Sequence, residues 1–115
     1  MYRLNIKPFS VNRARSVRAG RVISSKSKKE FQKKCLILLI RIRKGSIKIY
    51  PKMKLHCRWG MSYPEISDWD NPMKPFQDLL AKRFDFDDNQ IWFGSAEKIK
   101  SKKPFIEFTL TEYRP

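Results

Sequence analysis

The sequence predicts an α/β (α+β) fold in which a mixed β-sheet is packed by two helices. Segments with strand periodicity alternate along the chain with segments of helical periodicity, and turn-forming residues separate them. The chain has 115 residues, of which 41% are hydrophobic. This is enough for one hydrophobic core and too little for two, so we expect a single domain over residues 1–115.

The N-terminal part of the chain is predicted to contain a short strand and a basic loop. Residues 2–7 alternate apolar and polar side chains up to Pro8, which favours a strand. Residues 9–24 are rich in arginine and show neither helical nor strand periodicity. We therefore expect a mobile loop there.

A helix is predicted from Ser27 to about Lys44. Ser27 and Glu30 have the spacing of a capping box, and apolar residues then recur every three or four positions. Gly45 is the expected stop of this helix. The alternation of isoleucine and arginine over residues 40–43 also permits a strand at the end of the segment.

The next two predicted elements are a strand and a second helix. Residues 53–59 alternate so that one face of the strand is apolar and the other is polar. Pro72 and Pro75 are tolerated only if both lie in the first turn of this helix. Asn71, directly before them, can then cap the helix. Lys74 then lies at the start of this helix.

Two strands are predicted to end the chain. Residues 85–89 are polar and are expected to form a turn, after which residues 90–99 and 105–110 have the composition of strands. Gly94 is expected to mark a β-bulge.

A strong positive charge is the first functional indication. The formal net charge is +15, and a surface this positive repels itself unless a polyanion neutralises it. We therefore expect a nucleic-acid partner. The charge is spread over the chain and no apolar run is long enough to span a bilayer, so we expect no membrane partner and a cytoplasmic protein. Cys35 and Cys57 are expected to be reduced thiols, too few for a zinc site.

The charge is distributed unevenly. Residues 1–64 contain eighteen Lys and Arg and a single acid, Glu30, whereas residues 65–88 contain seven acids. A basic segment this one-sided, with asparagine and serine interleaved, is typical of a phosphate-binding surface. The residues that we expect to contact nucleic acid are Asn12, Arg13, Arg15, Arg18, Arg21 and Lys26.

The acidic segment is the candidate chemical site. Asp68 and Asp70 can face one point if the chain is leaving a strand there. The pair Asp87-Asp88 provides a third carboxylate after the second helix. Carboxylates gathered in this way repel one another, and Mg²⁺ offsets that repulsion while leaving coordination positions for water and phosphate. Lys74, one turn from Asp70, is placed to stabilise charge on a phosphate or to position water.

The same residues also have structural interpretations. An aspartate before a helix is commonly a cap, and residues 85–89 fit a solvated turn. Asp78 is expected to be only an i, i+4 partner of Lys74 or Lys82. His56 is expected to be an outward-facing strand residue.

A family resemblance rests on the acidic motif. Residues 68–71, D-W-D-N, followed by Lys74, Asp78-Leu79 and Asp87-Asp88, resemble the pattern of RusA-type Holliday-junction resolvases. Residues 8–13 are similar to the segment that begins such chains. The resemblance implies a homodimeric, Mg²⁺-dependent endonuclease, bacterial or phage-encoded, that makes paired nicks in four-way DNA junctions without an organic cofactor. It implies that the catalytic residues are Asp68, Asp70, Lys74 and Asp88, the three aspartates being the metal ligands.

Two positions depart from the family pattern. Pro75 directly follows the lysine, and residues 82–85 lack the glycine expected in that turn. The position of Asp88 relative to Asp70 is therefore open, and Asp87 is an alternative ligand. The C-terminal apolar strands are the expected dimer surface.

Two other interpretations stay open. A non-catalytic basic nucleic-acid-binding protein would use these acids only as caps and turns. A degenerate family member would bind junctions without cutting them.

The predicted role of the basic loop can be measured through its salt dependence. Replacing Arg13, Arg15, Arg18 and Arg21 by alanine should weaken duplex binding, because each arginine that neutralises one phosphate contributes about 0.9 to the slope of log K against log salt. Titrations of a labelled duplex at several salt concentrations give this slope. An unchanged slope in the multiple variant would show that the loop makes no phosphate contacts.

Overall fold

The chain forms a four-stranded mixed sheet packed by two helices, which confirms the predicted fold class. This computed structural model describes residues 1–9, 17–70 and 72–115, with side chains described from residue 26 onward in the second range. The strands are β1 (Tyr2–Leu4), β2 (Met53–Met61), β3 (Ile91–Lys100) and β4 (Phe105–Glu112). The two α-helices are α1 (Val17–Ile40) and α2 (Met73–Phe84).

The strand order β1-β4-β2-β3 places β3 at one edge of the sheet. β4 is antiparallel to both β1 and β2, whereas β2 and β3 are parallel. A parallel pair needs a long crossover connection. In this chain the crossover between β2 and β3 holds the acidic motif and α2, so the candidate site is built into the connection along the β3 edge.

The alternation predicted for β2 is confirmed. Leu55, Cys57 and Trp59 are fully buried, while Lys54 and His56 lie on the opposite face of the sheet. His56 is thus outward-facing, as predicted, and its Nδ1 is hydrogen-bonded to the Ser95 hydroxyl at 2.7 Å. Both helices pack on the apolar face and complete one hydrophobic core. Their main contributions to that core are Phe31, Cys35, Leu39, Phe76, Leu79, Leu80 and Phe84.

The two cysteines are buried, and they form no disulfide. Burial raises the pKa of the Cys35 thiol to about 12 and that of the Cys57 thiol further. Both thiols therefore stay protonated at neutral pH, which makes them core residues rather than nucleophiles.

α1 begins ten residues before the predicted start, at Val17 rather than Ser27. The predicted loop over residues 9–24 is therefore wrong from residue 17 onward, and Ser27 and Glu30 lie inside the helix rather than at its cap. No proline interrupts the chain between Pro8 and the end of α1, and a nucleated helix extends by one hydrogen bond per residue at little cost. Although α1 has 24 residues, no helix in the described part of the chain is long and apolar enough to cross a membrane.

α1 also ends earlier than predicted, at Ile40, and the strand considered for residues 40–43 does not form. The guanidinium of Arg83 on α2 donates to the carbonyls of Leu39, Ile40 and Ile42 at 3.3, 3.1 and 2.8 Å. These bonds give carbonyls at and just beyond the C-terminus of α1 a partner from α2, where a helix otherwise leaves its last carbonyls without intrahelical donors. Gly45, the predicted stop, lies instead in a following 3-10 turn.

The predicted bulge lies close to Gly94, but not at it. Met53 pairs with Ile91 and Lys54 pairs with Phe93, so Trp92 is the extra residue. Gly94 pairs regularly with Leu55.

Pro75 lies in the first turn of α2, as predicted, whereas Pro72 occupies the N-cap position that was predicted for Asn71. At both positions the N–H that proline lacks has no intrahelical partner to lose. The predicted cap, Asn71, lies outside the described residues. At the other end, Asp85 adopts the left-handed conformation, with φ 57° and ψ 57°. This is the place where the family pattern led us to expect glycine, and a salt bridge of 2.7 Å from Lys44 anchors the Asp85 side chain.

Gly60 and Gly45 provide a matched test of packing. A Cβ on Gly60 would overlap the ring of Phe105, whereas a Cβ on Gly45 would meet no atom within 4 Å. Gly60→Ala should therefore lower the free energy of unfolding by about 1–3 kcal/mol, as overpacking does. Gly45→Ala should be neutral or slightly stabilising. Urea denaturation measures both, and equal stability of the two variants would contradict the packing described for β2 and β4.

Candidate active site

The backbone of the acidic motif is anchored to the hydrophobic core. Trp59 is fully buried on β2, and its indole Nε1 donates to the carbonyl of Trp69 at 2.7 Å. Trp69 lies between Asp68 and Asp70. The ring of Trp59 is itself held edge-on against Phe76 of α2, with centroids 5.9 Å apart. The core therefore sets the position of the peptide between the two aspartates.

Three further hydrogen bonds hold the segment on either side of this anchor. Lys98 on β3 donates from Nζ to the carbonyls of Pro64 and Ser67, at 2.6 and 2.8 Å. Downstream, the N–H of Met73 donates to the carbonyl of Asp70 at 3.0 Å. The segment thus runs along the β3 edge to the start of α2, and the side chains of Asp68 and Asp70 are exposed.

Lys74 brings α2 and the later acidic pair together. Its ammonium contacts Asp88 Oδ2 at 2.7 Å and Asp78 Oδ1 at 3.0 Å. Gln77 lies on the same side of α2 and donates from Nε2 to the Asp88 carbonyl at 3.4 Å. The contact with Asp78 confirms the predicted i, i+4 pair. The contact with Asp88 joins residues 14 positions apart, and the sequence motif alone did not specify it.

This ion pair changes the proton affinities of both partners. The hydrogen bond from Lys74 holds the pKa of the Asp88 carboxyl below its usual range. The hydrogen bonds to Asp88 and Asp78 raise the pKa of Lys74 to about 12. At neutral pH the pair consists of an ammonium and a carboxylate, so Lys74 is a permanent positive charge at this position.

Asp87 has a structural role in the neighbouring turn. Its side chain accepts from the N–H of Asn89 at 3.1 Å, and the Gln90 side chain accepts from the N–H of Asp87 at 2.9 Å. This is a reciprocal capping box for the 3-10 turn of residues 88–90. Gln90 also donates from Nε2 to the carbonyl of Tyr50 at 2.9 Å. Asp87 therefore orients the turn that presents Asp88 to Lys74.

The predicted metal ligands are the carboxylates of Asp68, Asp70 and Asp88. Among residues 1–9, 17–70 and 72–115, no group of three or more Asp, Glu, His or Cys side chains lies close enough together to hold a metal ion. Asp68, Asp70 and Asp88 all offer the oxygen ligands that Mg²⁺ prefers. However, the described side chains do not form a preassembled ligand set, and the Asp88 carboxylate is paired with Lys74 instead.

Most of the predicted nucleic-acid contacts fall on parts of the chain whose side chains are not described. Asn12, Arg13 and Arg15 lie outside the described residues, and Arg18 and Arg21 are described only as backbone of α1. The last predicted contact, Lys26, is exposed on α1. Its exposure is compatible with phosphate binding.

The structure also identifies positioning residues that the sequence interpretation did not include. Trp59, Lys98 and Gln77 all hold backbone atoms of the candidate site. The signal for Trp59 was present in the sequence, because a tryptophan on the buried face of a strand needs an acceptor for its indole N–H. No comparable signal marks Lys98, which is one of many lysines.

The sequence is similar to that of a known protein. No protein-family model matches the chain. The chain is 31% identical over 94 residues to a crossover junction endodeoxyribonuclease RusA from Lactococcus phage r1t, and the matched region covers 81% of this chain and 67% of the phage protein.

The Lys74–Asp88 pair makes a prediction about acid titration. Replacing Lys74 by methionine in the metal-free protein should raise the pKa of Asp88 towards the ordinary aspartate value of about 3.9. In the parent protein the pair stabilises the fold at pH above that ordinary value, and this contribution is lost as the pH falls through the lowered pKa. Carboxyl NMR titration measures the shift, with Lys82→Met as the matched control. An Asp88 titration identical in both variants would contradict the ion pair.

Proposed function

This chain belongs to the family of RusA-type crossover junction endodeoxyribonucleases, and on that premise we propose that it cleaves four-way DNA junctions by paired nicks. The observation that carries the proposal is the exposed Lys74–Asp88 ion pair, whose lysine lies on the helix that follows a D-x-D segment anchored to the core. α2 and the turn before β3 hold this ammonium and this carboxylate together on the surface.

The proposed catalytic residues are Asp68, Asp70, Lys74 and Asp88. Lys74 is a fixed positive charge, and in the proposed mechanism it stabilises the charge that develops on the scissile phosphate. The three aspartates are proposed ligands of Mg²⁺. To bind the ion, the Asp88 carboxylate would give up its ion pair with the Lys74 ammonium. When bound, Mg²⁺ would lower the pKa of a water and neutralise phosphate charge. Trp59 and Lys98 act through the backbone and are positioning residues.

Substrate binding is proposed to depend mainly on the phosphate backbone. The net charge of +15 supplies the long-range attraction, and exposed lysines such as Lys26 on α1 are available for phosphate contacts. Recognition of a branch by shape is compatible with this, because phosphate contacts position a protein without reading sequence.

Paired nicks are proposed to require a homodimer. A symmetric dimer has two copies of the site related by a two-fold axis. Each site can then reach one of the two opposed strands of a four-way junction.

Two observations favour a second candidate function. The described side chains form no three-ligand metal group, and Asp87 serves as a cap. A protein that binds branched DNA without cutting it would have these features. The following experiment separates the two functions.

The test is to incubate the purified protein with a labelled four-way junction and a matched linear duplex, each with Mg²⁺ and with chelator. The proposed function predicts symmetric nicks in the junction, only with Mg²⁺. Asp70→Asn should reduce cleavage by about 100-fold or more, since even residues that merely support metal ligands contribute about 10- to 100-fold. Junction affinity should be unchanged or higher, because a negative charge near phosphate has been removed.

Asp85→Asn is the matched control. Asp85 is an exposed aspartate that also pairs with a lysine, Lys44, and asparagine tolerates the left-handed backbone at this position. This variant should cleave at the parent rate. Tight junction binding without nicks in the parent protein would identify a binding protein, and a large loss of affinity in Asp70→Asn would contradict the catalytic role.

A further inference from the structure

Three aromatic side chains form an exposed cluster where β3 begins and β4 ends. Trp92 and Phe93 are 59% and 47% exposed. Tyr113, which directly follows β4, stacks against both, with ring centroids 6.3 Å from Trp92 and 6.4 Å from Phe93. The interplanar angles are 27° and 13°, so the ring of Tyr113 lies roughly parallel to each of the other two rings. We call these three residues the aromatic platform.

The β-bulge explains how consecutive residues join one platform. Successive residues of a regular strand point to opposite faces of the sheet. Because Trp92 is the extra residue between the pairs Met53–Ile91 and Lys54–Phe93, the alternation is broken there, and both rings reach Tyr113. Tyr113 is held in place by its N–H, which donates to the Lys52 carbonyl at 2.9 Å. Bulges are frequent at sheet edges and near active sites, where they redirect a side chain.

The surroundings of the platform are positively charged. The Lys52 ammonium lies over one face of the Trp92 ring, 4.4 Å from its centre, where a stacking base would displace it towards a phosphate. Lys54 is exposed beside Phe93. The nearby carboxylate of Glu112 is already paired with Arg114 at 2.7 Å. Aromatic faces flanked by lysines match a ligand that has both flat π-faces and negative charge.

These features favour nucleic acid over a second copy of the chain. Exposed clusters of large apolar side chains usually mark a binding surface. A two-fold contact through this cluster would bring Lys52 and Lys54 against the same residues of another chain that also carries a net charge of +15. A nucleic-acid strand instead places bases on the rings and phosphates beside the lysines, which is how single-stranded DNA is commonly bound.

The platform is also close to the proposed active site along the chain. Trp92 follows Asp88 by four residues, a span of at most about 14 Å even when fully extended. Stacked nucleotides of one strand rise by about 3.4 Å each. A strand with one phosphate at Asp88 could therefore place a base a few nucleotides away on the platform.

We propose that Trp92, Phe93 and Tyr113 form a stacking site for unpaired nucleobases of a DNA strand, with Lys52 contacting its phosphates. The proposal rests on the proposed function, because it places this site beside the nuclease centre. It adds a preference for DNA whose bases are already unstacked, as at a branch point.

The experiment measures binding of a fluorescently labelled oligothymidylate by anisotropy, in chelator so that no cleavage occurs. Trp92→Ala should weaken binding by about 5- to 150-fold, which corresponds to the loss of one base–aromatic stack. The salt slope of log K should not change, because no phosphate contact is removed. Lys52→Met should instead lower the slope by about 0.7. Trp92→Phe, which keeps an aromatic face, should retain most of the affinity.

Tyr63→Ala is the matched control, because Tyr63 is 69% exposed and lies outside the platform. Circular dichroism checks that each variant is folded, and sedimentation velocity measures its oligomeric state. Unchanged affinity in Trp92→Ala would overturn the proposal. A Trp92→Ala variant that dissociates into smaller species would also overturn it and would assign the platform to a contact between copies.

The two proposals fail in different ways. If the parent protein does not nick junctions but Trp92→Ala binds oligothymidylate more weakly, only the nuclease function is wrong. If the parent protein nicks junctions and the platform variants bind normally, only the stacking site is wrong.

Discussion

The hydrogen bond from the Trp59 indole to the Trp69 carbonyl is the contact on which the geometry of the candidate site depends. It joins the most buried strand of the sheet to the peptide between Asp68 and Asp70. Burying an indole N–H without an acceptor costs free energy. Because the acceptor here is the Trp69 carbonyl, the core buries Trp59 without this cost only when the acidic segment is in place. The segment would otherwise be a surface connection of the kind that tolerates many conformations.

The second constraint is the balance of charge around Lys74. Lys74 is held between Asp78 and Asp88 and gathers α2 and the turn before β3 around one cation. An exposed ion pair of this kind contributes little to stability in water. The position of this ion pair therefore says more about function than its strength does. It keeps the Lys74 ammonium and the Asp88 carboxylate together where phosphate from the solvent can reach both.

Several parts of the fold were predictable because they depend on local periodicity. The alternation in β2, the order of the strands and helices, and the prolines at the start of α2 all follow from steric and hydrophobic rules that act over a few residues. The limits of α1 were not predictable in this way. Its start depended on helix propagation through a basic segment, and its end depends on Arg83, which comes from the other helix. A contact between residues 44 positions apart cannot be predicted from the local sequence pattern.

The same distinction between local pattern and long-range contacts applies to the candidate site. The sequence by itself determined which residues are available for chemistry, namely the D-x-D pair, Lys74 and the later aspartates, because residue type and motif spacing are properties of the chain. Only the tertiary structure decided that Asp88 rather than Asp87 faces Lys74, that Trp59 anchors the acidic segment, and that a bulge directs Trp92 towards Tyr113. The physical reason is that each of these depends on hydrogen bonds, ion pairs or strand register between distant segments, which exist only once the core has formed.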